Sequence, residues 1–214
     1  MYNVNVNTIH NVDSFGKDMI LVLSAYYAGQ HNIAYLWFKN SIEKNLDLNM
    51  FFVNMPEKHT LYRSRKKKDD RKYTNNELFH IPFSQRYKVS TQRYSFPGLP
   101  CLYLGNSKEV CSIELGCSEN DLVTATINYV NNGEKYKILD LTAAFISKII
   151  NDTVLKNLPL VLICSIQIDY DKENSNFRKE YIFSQLLLEY IINESLLQNE
   201  SILGIKYCST KINY

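Results

Sequence analysis

The chain has 214 residues, of which 45% are apolar and 21% are charged, and these proportions exclude a disordered or collagen-like chain. Twenty-four basic residues against 22 acidic ones leave a net charge of +2, so the bulk charge gives no indication of nucleic-acid binding. A chain of this length can bury a core without disulfides or a metal. The five cysteines are odd in number and form no CxxC motif, which disfavours a disulfide framework.

The N-terminal region has neither a basic start nor a long apolar run, so it does not resemble a signal peptide. The longest apolar stretch, residues 158–168, is interrupted by Pro159 and is too short to span a bilayer. We therefore expect a soluble cytoplasmic protein that makes no membrane contact. We also expect Cys164 and Cys208, which lie in apolar surroundings, to behave as core side chains.

The first predicted elements are helices within residues 13–54, where apolar side chains recur with a helical period. Asp13 or Ser14 is the predicted N-cap of the first helix, and Pro56 closes the region. A basic run at residues 63–72 and a proline-punctuated stretch at residues 82–100 follow.

Residues 101–104 form a short apolar run that predicts a buried strand, and Ser107 is placed to cap a helix that carries Glu114. Further strands are predicted at Leu122–Val130 and at residues 136–141, 160–168 and 202–208, with a turn at residues 131–133. Helices are predicted at residues 143–150 and, strongly amphipathic, at residues 177–192. This mixed order favours an α+β fold over regular βαβ alternation.

No dinucleotide-binding, P-loop or nucleophile-elbow motif occurs. The four histidines are isolated, so we expect no metal site. The basic run lacks interleaved aromatic residues, and this also disfavours a nucleic-acid partner.

The residue types that remain suit a ligand that carries a diphosphate, a planar ring and a ribose. Arg63 and Arg93 could hold the diphosphate by bidentate contacts, and Tyr103, at the end of the predicted strand, could stack on the ring. Glu114, on an apolar helix face, could hydrogen-bond a ribose hydroxyl and stabilise positive charge as a glycosidic bond breaks.

The order of these motifs resembles the RES domain family, which includes the toxins of RES–Xre toxin–antitoxin modules. The matching segments are Tyr-Arg-Ser-Arg around Arg63, Gln-Arg-Tyr-Ser around Arg93, Leu-Tyr-Leu-Gly around Tyr103, Ser-Ile-Glu-Leu around Glu114, and the stretch that ends at Ser209. The resemblance covers residues 61–209. It implies an ADP-ribosyltransferase-like fold with a mixed β core and flanking helices. We accordingly predict an N-terminal helical extension at residues 1–60 and a RES domain at residues 61–214.

The resemblance also implies roles for five residues. Arg63 and Arg93 would neutralise the phosphates of NAD, and Tyr103 would pack beside the nicotinamide. Glu114 would be the catalytic carboxylate, and Ser209 would line the pocket and orient the acceptor. NAD is thus the expected substrate, inorganic phosphate or water the acceptor, and no metal is needed.

Two departures from the family pattern bear on this interpretation. Gln92 stands where the family usually has the glycine of Gly-Arg-Trp-Asn, and Ser64 stands where some members have tyrosine. Three functions follow as hypotheses: an NAD-cleaving toxin or defence effector, an ADP-ribosyltransferase acting on a macromolecule, and an inactive interaction protein. An Xre-type antitoxin and a second copy of the chain remain open as partners. Arg63 could instead belong to a solvated basic run, and Tyr103 to the core.

Overall fold

The computed structural model describes residues 4–130, 133–142, 151–168, 177–197 and 201–211, and within them the chain is a mixture of helices and small sheets. The α-helices are α1 (Val6–Tyr27), α2 (His31–Asn45), α3 (Asn75–Leu78), α4 (Lys108–Leu115), α5 (Asp152–Cys164) and α6 (Ile182–Leu197). The strands are β1 (Phe52–Asn54), β2 (Lys58–Lys66), β3 (Leu122–Val130), β4 (Lys137–Asp140) and β5 (Ile202–Lys206). The α+β class is confirmed, while the likeness to ADP-ribosyltransferases stays a prediction.

The chain folds into two compact units, each assembled from separate stretches of sequence. The first unit consists of Met1–Val53, Lys137–Ile166 and Glu180–Cys208. The second unit consists of Asn54–Tyr136, Gln167–Lys179 and Ser209–Tyr214. The predicted domain boundary at residue 60 stays a prediction. All five predicted site residues belong to the second unit.

Helix α1 begins at Val6, where the side chain of Asn5 accepts a hydrogen bond from the backbone N–H of Asn7. The predicted cap at Asp13 or Ser14 is therefore wrong, because the first turn already has its acceptor at Asn5 and the helix runs on without a break. Packing of α1 on α2 builds the core of the first unit. Its buried apolar side chains include Phe15, Met19, Val22, Ala34, Phe38 and Ile42.

Helix α5 occupies much of the region where the sequence predicts a strand at residues 160–168, so that prediction is wrong. The side chain of Asn151 accepts from the N–H of Val154 and caps the helix. The buried positions follow a helical repeat: Val154, Asn157, Leu160, Val161 and Cys164. A short apolar run has no periodicity that distinguishes a strand from a buried helix, and the packing of one helical face decided between them here.

Helix α6 confirms the helix predicted at residues 177–192, although it starts later, after a 3₁₀ turn at Lys179–Tyr181. It is not amphipathic. From Glu180 to Ile191 every side chain except that of Glu189 is buried, as expected for a helix enclosed on all sides. Cys164 is buried as predicted, whereas Cys208 is only half-buried.

The second unit is built on an antiparallel pair in which β2 and β3 align from Lys58↔Val130 to Lys66↔Leu122. The bounds of β3 match the sequence prediction.

The other sheet has the strand order β1-β4-β5, and β4 and β5 are parallel. These two strands confirm the strands predicted at residues 136–141 and 202–208, with narrower bounds. Asn131 and Asn132 of the predicted turn and the helix predicted at residues 143–150 lie outside the described residues. Among the helices that the structure describes, none has the length and apolar character needed to cross a membrane.

Candidate functional site

Strand β2 carries Arg63 and Arg65 two positions apart, so their side chains leave the same face of the strand. Arg63 donates from Nη1 to the carbonyl oxygen of Tyr103 at 3.0 Å. Arg65 donates from Nη2 to the carbonyl oxygen of Phe79 at 3.0 Å. One end of each guanidinium group is thus anchored on a neighbouring loop.

The two arginines have no counter-ion among the residues that the structure describes. Both are half-buried, and the Nε atom of each is buried with no hydrogen-bond partner in the described part of the chain. Burial lowers the pKa of Arg63 from its ordinary value, and the positive charge of Arg65 lowers that pKa further. Partly buried cations without a counter-ion are costly, so the pair is suited to an anionic ligand.

Tyr103 does not lie on a strand, so the strand predicted at residues 101–104 is wrong. In the segment that follows residue 100, Gly105 alone pairs with β2. It does so through reciprocal backbone hydrogen bonds with Tyr62 at 2.9 and 2.8 Å. The carbonyl of Tyr103 accepts from the side chain of Arg63 rather than from a neighbouring strand. The phenol oxygen of Tyr103 accepts from the N–H of Tyr94 at 3.0 Å, which ties this loop to the turn that contains Arg93.

Gly105 also fixes how closely this loop approaches α4. A Cβ at this position would lie 2.7 Å from Sγ of Cys111, a distance that side chains do not tolerate. The thiol of Cys111 in turn lies 3.5 Å from the carbonyl oxygen of Tyr62 and donates to it. The absence of a side chain at Gly105 therefore lets α4 pack directly against β2.

Arg93 is buried, with 6% of its surface exposed, and it lies in a tight turn in which Gln92 and Ser95 pair through their backbones. It donates from Nη2 to Oγ1 of Thr210 at 3.1 Å. Ser209, the preceding residue, is half-buried, and its Oγ accepts from the N–H of Lys211 at 3.2 Å. A contact 117 residues apart in sequence thus brings the C-terminal stretch to Arg93.

Glu114 lies near the C-terminal end of α4, a helix that begins as the sequence predicts. Ser107 caps α4 by accepting from the N–H of Val110, and the helix ends at Gly116, whose φ of +61° favours glycine. The Glu114 side chain is half-buried and has no hydrogen bond or ion pair among the described residues. Its backbone carbonyl accepts from Nζ of Lys211 at 2.8 Å, so α4 is joined to the same C-terminal stretch.

These hydrogen bonds connect the site segments of the second unit to one another. Each link joins a predicted site residue, or a residue within two positions of one in sequence, to another such residue or to α4. The links are Arg63–Tyr103, Tyr103–Tyr94, Arg93–Thr210, Lys211–Glu114 and Cys111–Tyr62. The structure therefore brings together the segments that carry all five predicted residues.

Sequence reasoning missed three participants, Arg65, Thr210 and Lys211. The signal for Arg65 was present in Tyr-Arg-Ser-Arg, because residues two apart on a strand share a face. No local signal marks Thr210 or Lys211, whose partners are distant in sequence. In the described part of the chain, no three His, Cys, Asp or Glu side chains are arranged to hold a metal ion.

Comparison with known proteins finds a relative whose name describes it as a putative toxin. The chain is 29% identical, over 228 aligned positions, to a protein of Bacillus subtilis (strain 168) named "Putative toxin YopC". The alignment covers 96% of this chain and 50% of that protein, so the chain spans about half the length of the relative that it matches. No family model matches the chain. No solved structure matches it either. Membership of the RES family stays a prediction.

Proposed function

We propose that this chain is a toxin that consumes NAD by cleaving the bond between nicotinamide and ribose. The name of the Bacillus subtilis relative supports the toxin role, and the residue-by-residue resemblance to the RES domain supports NAD as the substrate. The observation that carries the proposal is the pair of half-buried guanidinium groups that have no counter-ion among the described residues. Arg63 connects this pair to the loop of Tyr103 by its hydrogen bond to the Tyr103 carbonyl.

The diphosphate of NAD supplies the anion that this pair lacks. Arg63 keeps Nη2 for a ligand, because only Nη1 is used for the Tyr103 carbonyl, and the neighbouring charge of Arg65 adds to the attraction. Guanidinium groups bind phosphate oxygens strongly and with defined geometry. Arg93 is the second phosphate-binding arginine of this proposal, and Tyr103 stacks on the nicotinamide.

Glu114 supplies the catalytic charge in this proposal. The nicotinamide of NAD is already cationic, so the C1′–N bond breaks with its electron pair going to the departing neutral nicotinamide. The Glu114 carboxylate holds a ribose hydroxyl and stabilises the positive charge that develops on the sugar. Ser209 orients the acceptor, which forms the new bond to C1′: inorganic phosphate gives phosphorylated ADP-ribose, and water gives ADP-ribose and a proton.

The direct test is NAD turnover by the purified chain, with and without inorganic phosphate and with the products identified by mass spectrometry. We expect Glu114→Gln to lower turnover by about 10²–10³-fold, the range for loss of an electrostatic catalytic group. Glu109→Gln is the matched control, because Glu109 is exposed in the first turn of the same helix. Normal turnover in a folded Glu114→Gln variant would rule out this mechanism.

The same reaction mixture distinguishes the other functions. Labelled NAD that leaves its label on a protein or nucleic acid would indicate ADP-ribosyl transfer. Absence of NAD binding by calorimetry would favour an inactive interaction protein. The biological part of the proposal is tested by expression in an unprotected host, where growth should stop. Co-expression of an adjacently encoded Xre-type antitoxin should then restore growth.

A further inference from the structure

The second unit carries a local excess of positive charge that the net charge of the chain conceals. Between residues 58 and 93 there are eleven Lys or Arg side chains against three Asp or Glu, whereas the rest of the chain has thirteen against nineteen. Two of the three acids are already engaged, because Asp69 and Glu77 both pair with Arg71. The excess positive charge therefore remains uncompensated within this stretch.

Three aromatic side chains are exposed in the same stretch. Tyr87 is 78% exposed, Phe83 is 59% exposed and Phe79 is 44% exposed. Phe83 and Tyr87 lie on the 3₁₀ turn Phe83–Lys88, which has no buried residue. Rings of this size are seldom left in water without a binding role when they are grouped.

A positive charge accompanies each ring of this turn. The guanidinium carbon of Arg86 lies 6.0 Å from the centre of the Phe83 ring, and Nζ of Lys88 lies 5.5 Å from the centre of the Tyr87 ring. Neither cation forms an ion pair among the described residues. The turn thus presents exposed rings beside positive charges that have no acidic partner in the described part of the chain.

Hydrogen bonds order the lysine-rich segment and tie Arg65, at its start, to the segment that leads into this turn. The phenol oxygen of Tyr73 accepts from the N–H of Lys68 at 2.8 Å, and Arg65 holds the carbonyl of Phe79. Phe83 follows Phe79 by four residues, so the two Cα atoms are at most about 14 Å apart. Lys66, Lys68 and Lys72 are all exposed and have no ion pair within the part of the chain that is described.

We propose that Lys66, Lys68, Lys72, Phe83, Arg86 and Tyr87 form a surface that binds single-stranded nucleic acid. Cationic side chains attract the phosphates, and exposed rings stack on unpaired bases without requiring a particular sequence. A duplex would offer the phosphates but not the base faces, so the exposed rings favour the single strand. This surface is separate from the proposed NAD site, since it uses none of the five predicted site residues.

The test is fluorescence anisotropy of the full chain with a labelled 20-mer of thymidine or uridine, and with a duplex of equal length, at 50 and 200 mM salt. We expect the single strand to bind more tightly than the duplex. Phe83→Ala combined with Tyr87→Ala should weaken single-strand binding at least tenfold. Replacement of Lys66, Lys68 and Lys72 by Ala should make the slope of log K against log salt shallower by about 2.

Trp37→Ala is the matched aromatic control, because Trp37 is 43% exposed in the first unit. It should leave binding unchanged, and all variants should turn over NAD like the parent chain if the proposed activity is correct. The proposal is overturned by absence of oligonucleotide binding at 50 mM salt, or by equal weakening in Trp37→Ala and in the Phe83/Tyr87 variant. Tighter binding of poly-glutamate than of the single strand would also overturn it, and would indicate an acidic protein partner instead.

Discussion

Replacing Arg63 by methionine separates a ligand-binding role from a structural one. The change removes the hydrogen bond from Nη1 to the carbonyl of Tyr103, a bond from a charged group that contributes about 1.5–3 kcal/mol before any compensation. It also removes a half-buried charge whose pKa is lowered by burial and by the neighbouring Arg65. Relief of that desolvation and repulsion offsets the lost hydrogen bond. We expect the free energy of unfolding to change by less than about 1 kcal/mol.

The effect on the proposed activity should be much larger. A hydrogen bond from a guanidinium group to a phosphate contributes about 1.5–3 kcal/mol. Its loss should lower kcat/KM for NAD by about 10- to 150-fold. NAD turnover and urea unfolding followed by circular dichroism measure the two effects on the same preparation.

Arg71→Met is the control for this experiment, because Arg71 lies on the same basic run but is exposed and paired with Asp69 and Glu77. It should keep full turnover and leave the urea unfolding midpoint almost unchanged, because exposed ion pairs contribute little to stability. A folded Arg63→Met variant that turns over NAD at the parent rate, and whose free energy of unfolding is lowered by more than about 2 kcal/mol, would contradict the ligand-binding role. Arg63 would then be a structural residue.

Two further predictions concern the first unit. Asn157 is fully buried and pairs with both the N–H and the carbonyl of Asp47 at 2.9 and 2.6 Å, so Asn157→Leu should lower the free energy of unfolding by about 2–4 kcal/mol. The exposed Asn128→Ala should change it by less than about 0.5 kcal/mol in the same urea titration. The hydrogen bond to Glu194 raises the pKa of Lys39 to about 12 from 10.5, so the folded chain keeps a proton that the unfolded chain loses between these pH values. Stability should fall as pH rises through this window, and Lys39→Met should make that fall smaller; an identical fall in the variant would refute the assignment.

The elements that the sequence predicted well are those with a complete local signal. Ser107 followed by an apolar helical repeat gave α4 with its cap, and alternating β-branched residues gave the bounds of β3. The prediction failed where one local pattern fits two structures. The apolar run after residue 160 suits a strand or a buried helix, and it became part of α5 because its side chains at helical spacing pack into the first unit. Residues 101–104 are equally apolar, but no strand pairs with them. The next residue, Gly105, forms a single bridge to β2.

Sequence alone determined which side chains are candidates for chemistry here, because the residue types and their order are written in the chain. Tertiary structure alone decided which segments meet, since the contacts from Arg93 to Thr210 and from Lys211 to Glu114 join residues 117 and 97 positions apart. It also revealed that the Nε atoms of Arg63 and Arg65 are buried with no hydrogen-bond partner among the described residues. The reason is physical: a side chain's identity is local, whereas its burial and the charges around it depend on every segment that packs against it.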